Sequence, residues 1–479
     1  MVSLKDRSPE ATAARLAAMK GKNMLLLSAS KMLTEDAPDV GPMTKAYLNW
    51  AKDNGVILTY VTDENGDHLE GVYRQYELAH NYLPADFTSG ETIVEAVKKS
   101  GITYDGVFSH LENMQPLVGE VAELLNISCN PADAYRIARS KLESRKALAR
   151  AGLPTPRSAP IATPADIESV GEKVGFPLII KPTSGAGSGG VYKADNMEEF
   201  KNICERSFAD LAANPTLQFN PGMGDKAGAP LMAEQYLVPV DFGLPIFEFD
   251  VDLLMFDGEA VYSGVCDNWN PSHTYYLETG SNYPSLVPEK VQEELIEFSI
   301  NCAKAMGFNR GAFHIECMYT SDGAQLIENN PRVGGGSDHM FHLGVQGVDM
   351  MQNFFMSMLN IPINPERTGT PQKIILDYGV NAAKTGILQD TEWNEEAKKG
   401  KYVTDTVCTV KAGDKIKGDD KTFPDCVALF YAEAPIAEAR EAFLELLEIG
   451  ERALETMPVT NEEKPVRRAS RGSWIAEAI

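Results

Sequence analysis

The sequence predicts an α/β protein with α+β segments, and three observations predict it. Short apolar runs alternate with helical stretches over the first 130 residues; a glycine-rich loop lies between two strand-like runs near residue 185; and a hairpin of alternating polar and apolar residues ends near residue 330.

Residues 1–22 read as an Ala-rich helical lead-in. Strand-like runs follow at 24–28 (MLLLS), 56–61 (VILTYV) and 106–108, the last before a helical stretch at 114–125. Strands alternating with helices suggest βαβ units and a parallel sheet, which places a first domain at 1–130. One helix is expected from Asp133, its cap, to the C′ glycine Gly152, with Ile137, Leu142 and Leu148 in its buried stripe and Pro154 and Pro156 beyond its end. After it, FPLIIK (176–181) reads as a strand, TSGAGSGG (183–190) as a loop and 191–193 as a second strand. The stretch 207–230 reads as a flexible loop, 231–266 as strand-rich and 288–306 as a helix, and the tail from about 370 mixes strands with a helix near 436–455.

A chain of 479 residues suggests about three domains. With 68 acidic against 44 basic residues the formal net charge is −24, which would repel a phosphate backbone or an anionic membrane, so neither nucleic acid nor membrane is expected as a partner. A nucleotide would need local cations, a metal and backbone donors. The seven cysteines are odd in number and form no CxxC pair, as for the reduced thiols of a cytoplasmic protein. The first twenty residues hold no apolar h-region, and no run reaches about 18 apolar residues, so neither a signal peptide nor a membrane span is expected. Oligomeric state, a homodimer included, is not readable.

The hairpin GAFHIECMYTSDGAQLIENNPR carries the first chemistry. If Ser321-Asp322-Gly323 is a three-residue turn, Thr320 pairs with Ala324, Glu316 faces Glu328 and His314 faces Asn330. Alternation then puts His314, Glu316, Glu328 and Asn330 on one face and Phe313, Ile315, Cys317 and Ile327 on the other. Opposed carboxylates repel, unless a divalent cation such as Mg²⁺ sits between them; a solvated polar face is the alternative. In the loop after Lys181, glycines 185, 187, 189 and 190 let backbone N–H groups approach a phosphate, and Lys181 could hold a phosphate oxygen. No GK[ST] follows, so this is not a Walker A loop, and a mobile surface loop would look the same.

Taken together, Lys141, AGLPTP, FPLIIKP, TSGAGSGGV, AEQYL, GAFHIE and IENNPR, in that order over about 130–350, resemble the ATP-grasp carboxylate–amine ligases. The run GAFHIE, LIENNPRVGGG and GVDM most resembles the L-amino-acid ligase branch, which makes dipeptides from free amino acids. VKAGDKIKGDD and FPDCVALFYAEAPIAEAREAF resemble that branch's C-terminal domain. The resemblance implies an ATP-grasp fold: a Rossmann-like pre-ATP-grasp domain at 1–130, an ATP-grasp domain at 131–365 (small lobe about 155–235, large lobe about 236–365) and a small C-terminal domain at 366–479.

The resemblance also implies roles. ATP and Mg²⁺, two ions, with Mn²⁺ able to serve, are the expected cofactors, and a small-molecule carboxylate and an amine the expected partners. Lys141 and Lys181 would contact ATP. The loop with Ser184, Gly185, Gly187, Ser188 and Gly189 would close over the phosphates. Glu234, Gln235, Tyr236 and Leu237 match the strand that bonds adenine through backbone atoms. Glu248 is the candidate ribose-binding acid; because the insertion VPVDFGLP departs from the family pattern, Asp241 is a second. Glu316, Glu328 and Asn330 match the metal ligands. Arg332 matches the arginine that, with Lys181, steadies the acyl phosphate and the oxyanion. His273 resembles a pocket residue, Gly335 and Gly336 lie where a substrate carboxylate would meet backbone donors, and Glu112 and His110 rank behind these. Carboxylation of the biotin-carboxylase type, a purine-pathway ligase and a non-catalytic nucleotide sensor are the competing readings. A Rossmann oxidoreductase fails, because Ser28-Ala29-Ser30-Lys31 stands where GxGxxG belongs.

Overall fold

Leu25, Leu26 and Leu27 are fully buried, which a strand needs both sheet faces covered to achieve. They belong to β1 (Asn23–Leu27), which with β2 (Ile57–Asp63), β3 (Asn81–Ala85) and β4 (Gly106–Phe108) forms a parallel sheet in the order β3-β2-β1-β4. The sequence reading finds three of these strands and misses β3, a short run containing Pro84. Proline is confined to sheet edges, and β3 is an edge strand. This computed structural model describes residues 5–28, 42–63, 79–183, 190–213, 229–271, 276–420 and 424–460.

Helices α1 (Pro9–Met19), α2 (Pro42–Asp53), α3 (Gly90–Ser100) and α4 (Gln115–Leu125) accompany these strands. Where a single helix is expected at 133–152, the chain breaks. There are two, α5 (Ala132–Arg139) and α6 (Lys141–Arg150), parted by Ser140 in an extended conformation (φ −100°, ψ 110°). The Ser140 hydroxyl accepts the Glu143 N–H at 3.3 Å and so caps α6. Pro131, not Asp133, stands at the start of α5; the Asp133 carboxylate holds Arg136 at 2.6 Å instead.

Helices α4 and α5 pack at Gly119. A Cβ there would lie 2.5 Å from the Ala132 Cα, and backbone cannot yield as a side chain can. Gly119→Ala is expected to destabilise the protein by about 1–3 kcal/mol, seen as a lower thermal midpoint. An unchanged midpoint would mean that the two helices separate freely.

A second, antiparallel sheet is built from β5 (Ser158–Ile161), β6 (Leu178–Pro182), β7 (Tyr192–Ala194) and β8 (Leu231–Gln235) in the order β5-β8-β6-β7. Helices α7 (Ile167–Val174) and α8 (Met197–Ala213) cover it through a core with Ile161, Leu178, Ile180 and Phe200. Helix α8 runs to Ala213, so the loop expected from 207 begins later than the sequence suggests; the remainder of it, 214–228, lies outside the described residues.

The third sheet carries the site. Strands β9 (Ile246–Phe256), β10 (Glu259–Trp269), β11 (Gly280–Tyr283), β12 (Gly311–Thr320) and β13 (Gly323–Asn330) run in the order β13-β12-β9-β10-β11. Helices α9 (Glu289–Ala305), α10 (Asp338–Gln346) and α11 (Met350–Met358) accompany them. All of these belong to one compact unit, Met1–Ile375.

Leu376–Ile479 forms a second unit. It holds most of β14 (Lys373–Asn381), the short strands β15 (Gly386–Leu388), β17 (Lys415–Ile416) and β19 (Val459–Thr460) in the order β17-β15-β19, and the antiparallel pair β16 (Val403–Cys408) and β18 (Cys426–Pro435). Its helices are α12 (Glu392–Ala397) and α13 (Ala439–Thr456). No helix among the described residues is long and apolar enough to cross a membrane.

Candidate active site

The register of β12 on β13 decides which side chains share a face, and it differs from the expectation twice. The turn is two residues long: Thr320 pairs with Gly323 (φ +89°), and Tyr319, not Thr320, with Ala324. A bulge then takes up one residue, so that Cys317 pairs with Leu326 and Glu316 with Glu328. The two differences cancel. Glu316 faces Glu328 and His314 faces Asn330, as expected, while Leu326 rather than Ile327 lies opposite Cys317 on the apolar face. The bulge residue offers its carbonyl to Arg145 at 3.0 Å.

On its other side β12 pairs with β9, Glu316 opposite Asp250 and His314 opposite Asp252. Alternation along β9 puts Glu248, Asp250 and Asp252 on the face of Glu316 and Glu328. Burial, with the charge of Glu328 added, pushes Glu316 up to about 7. Burial also raises Glu328, but the Lys141 ammonium 2.8 Å away outweighs it and holds the carboxyl below its ordinary value. Asn330 donates to Glu316 at 3.0 Å. Two opposed, half-buried carboxylates and an amide oxygen are hard oxygen donors with too little positive charge among them, a set that fits a divalent cation such as Mg²⁺.

The break at Ser140 positions Lys141. As the first residue of α6 it gives its backbone N–H to the Thr183 carbonyl at 3.1 Å, and its side chain turns inward to Glu328. Nearby, Arg145 and Lys181 share the carboxylate of Glu234, with Arg145 Nε at 2.6 Å and Lys181 Nζ at 2.7 Å. Burial lowers the Lys181 ammonium, and Glu234 pulls it back up. Glu234 itself is raised by burial but held down at about 2 by Arg145 and Lys181. In the next residues, the N–H groups of Gln235 and Tyr236 donate to the carbonyls of Arg157 (2.8 Å) and Pro177 (3.2 Å). Those two donors are thus spent within the protein.

Arg332 lies against Glu112 and donates to the Val333 carbonyl at 3.2 Å. Arg139 stands 3.8 Å from the same Glu112. Burial, then the Arg332 charge, lowers His110 to about 4. Glu112 and His110, ranked low from sequence, thus adjoin Arg332. Glu248 stands half-buried on the acidic face, and burial, then Glu316, raises it well above its ordinary value. Asp241 is exposed in a turn, bonded to the Gly243 N–H at 2.7 Å. Gly335 and Gly336 are exposed, and the Gly335 carbonyl accepts the Asp338 N–H at 3.2 Å. Ser184, Gly185, Gly187, Ser188, Gly189 and His273 lie outside the described residues.

Sequence reasoning misses a buried network. Asp252, fully buried, accepts from His314 Nδ1 at 3.1 Å and from His342 Nε2 at 2.7 Å. Burial raises Asp252, but His342 and His314 outweigh it and hold it well below its ordinary value. Tyr262 meets His342 Nδ1 at 2.7 Å, and the Tyr283 hydroxyl lies 3.1 Å further on. The signal was present in the alternation Glu248-x-Asp250-x-Asp252; Asp338 and His342, on a helix, carry none.

Residues 174–339 match the family model of the ATP-grasp domain. The chain carries an ATP-grasp domain. Among solved structures, an L-amino acid ligase from Bacillus licheniformis matches with a TM-score of 0.68 at 20% identity, covering 90% of this chain and 98% of that one. Carnosine synthase 1 of Gallus gallus is 24% identical over 371 residues, 74% of this chain and 37% of its own length. The L-arginine-specific L-amino acid ligase of Bacillus subtilis is 20% identical over 350 residues, 72% of this chain and 79% of its own length. This chain spans under two-fifths of the length of the carnosine synthases it matches. Within the ATP-grasp domain fall Lys181, Glu234, Glu248, Glu316, Glu328, Asn330 and Arg332; Lys141 and Glu112 precede the matched segment.

Proposed function

We propose that this chain is an ATP-dependent ligase that joins a carboxylate to an amine through an acyl phosphate, releasing ADP and phosphate. The carboxylate is that of an amino acid and the amine that of a second one. The observation that carries this is the Glu316–Glu328 pair, opposed on one hairpin, with Lys141 bonded to Glu328 and the charges of Lys181 and Arg332 felt by Glu328 and Glu316 in turn. The named relatives, carnosine synthases and amino-acid ligases, support the substrate class.

Glu316, Glu328 and Asn330 would hold Mg²⁺, which when bound supplies positive charge to the nucleotide phosphates. Lys141, bonded to Glu328, and Lys181, bonded to Glu234, would add fixed charge beside it. Glu248 would meet the ribose hydroxyls, and Leu237 the base. The acceptor carboxylate attacks the γ-phosphorus, the bond to the β,γ-bridging oxygen breaks and ADP leaves. Arg332, its guanidinium fixed by Glu112, stands ready for the charge that develops on the acyl group. The unprotonated amine nitrogen then attacks the acyl carbon, phosphate leaves with the acyl C–O electrons, and the proton shed by the nitrogen passes to that phosphate.

The test is product-resolved ATP consumption. Purified protein with Mg²⁺, ATP and pairs of amino acids should release ADP and phosphate only with certain pairs, and mass spectrometry should find a product lighter than the pair by one water. AMP in place of ADP, or consumption that needs bicarbonate and no amine, would overturn the ligase.

A further inference from the structure

One buried carboxylate oxygen on the acidic face meets no hydrogen-bond donor among the described residues. Asp250 is 4% exposed; its Oδ2 accepts the Asn268 amide at 2.8 Å, and its Oδ1 accepts nothing. Backbone and side-chain acceptors buried this deeply are nearly always paired, so an orphan oxygen asks what donor is meant for it. It does not point at random. The ligand atoms of Asp250, His314 and Asp338 all lie within 4.8 Å of one another, each residue buried. His314 Nε2 is 3.7 Å from Oδ1, beyond hydrogen-bond length. On its far side Nδ1 is already engaged by Asp252 at 3.1 Å and Asp338 at 3.2 Å. Burial lowers His314, but Asp250, Asp338 and Asp252 outweigh it and raise it well above its ordinary value, so Nε2 also carries an N–H; at 3.7 Å that N–H pairs with the charge of Asp250 without hydrogen-bonding Oδ1.

The place of this oxygen matters. Asp250 is the cross-strand neighbour of Glu316, and adjacent strands are about 4.8 Å apart. It therefore lies one strand from the ligands that would gather the phosphates, on the side away from Glu328. A group bound there sits beside an acyl phosphate held on those ligands. What the oxygen lacks is an N–H donor, and the cluster's excess of carboxylate over imidazole favours a donor that carries positive charge. An amino group that arrives as an ammonium has both properties.

We propose that Asp250, backed by Asp338, is the subsite that receives the amino group of the amine substrate, which rests on the ligase function proposed above. The subsite selects a primary amine that is cationic in water and places its nitrogen next to the acyl carbon. A neutral nucleophile has little to gain from it.

Hydroxylamine, uncharged at neutral pH, separates these cases because it traps an acyl phosphate as a hydroxamate. Wild type, Asp250→Asn and Asp338→Asn would be given ATP, Mg²⁺ and the carboxylate substrate from the pair screen, with either the matching amino acid or hydroxylamine. For Asp250→Asn the KM for the amino acid should rise at least tenfold, while hydroxamate formation, the ATP KM and the Mg²⁺ requirement stay within threefold. Asp338→Asn should show the same split at smaller size, and it keeps the test open if Asp250→Asn does not fold. Parallel loss of hydroxamate and amide, or a raised Mg²⁺ requirement, would overturn the subsite and assign Asp250 to the metal and nucleotide. An unchanged KM for the amino acid would overturn it too. Absence of hydroxamate from wild type with every amino acid would instead bring down the ligase function itself, and the subsite with it.

Discussion

Alanine at Arg332 is expected to cut turnover by about 10²–10³-fold while the KM for ATP changes little. The effect should be that large because of where the charge sits. The guanidinium is mostly buried and Glu112 fixes its direction, while Arg139, 3.8 Å from the same carboxylate, stands beyond hydrogen-bond length. A preorganised charge of this kind acts on the transition state more than on the bound substrates, so the loss should fall on kcat. Arg332→Lys should recover only part of it, since an ammonium cannot reproduce a planar fork held by a carboxylate. Alanine also leaves Glu112 beside Glu316 with one cation fewer, and Glu112→Gln in the same chain should offset any accompanying fall in stability. Steady-state kinetics on the three variants decide the matter. A turnover within threefold of wild type for Arg332→Ala would remove the residue from the chemistry.

The second large effect concerns stability. Glu234 is buried between Arg145 and Lys181, so Glu234→Ala would strand two cations in the interior, and a loss of about 3–5 kcal/mol is expected. The pH dependence gives a separate handle. Folding lowers the Glu234 carboxyl from 4.5 to about 2. The stability this contributes, roughly 3 kcal/mol, is therefore fully present above about pH 4.5 and drains away as the pH falls toward 2. Urea unfolding of wild type and variant at pH 7 and again near pH 3 should show the gap between them narrowing in acid. A gap of the same size at both pH values would mean that Glu234 does not titrate with folding, and a gap near zero at pH 7 would mean that the trio contributes no net stability.

How much of this was legible beforehand depended on whether the information was local. The face of Glu316, Glu328 and Asn330 follows from period-two alternation and a short turn, and the pairing is the expected one although the turn is a residue shorter, because the bulge at Ile327 compensates. Lys141 was harder. From sequence it is a lysine in a long helix, since no glycine or proline announces the break; only the extended backbone of Ser140 turns it toward Glu328. The pairing of Arg332 with Glu112 spans 220 positions, and that of His342 with Asp252 spans 90, distances over which no local pattern speaks. Glu234 shows the reverse case: its place on a strand was read, but not that its side chain would be the anchor of two cations. β3 was missed because proline disguises an edge strand.

The Arg145 side chain has a consequence for motion. Its guanidinium holds Glu234 on β8 in one sheet and the Ile327 carbonyl of the bulge on β13 in another. It is thus a tie rod between the sheet that carries Lys181 and the hairpin that carries Glu328. Were the two sheets to rotate against each other during a catalytic cycle, displacement would be least near Arg145 and would grow with distance from it, unless those bonds broke first. The lysine and the carboxylate lie close to that fulcrum, so their spacing would hold nearly constant through a swing that moves the far ends of both sheets.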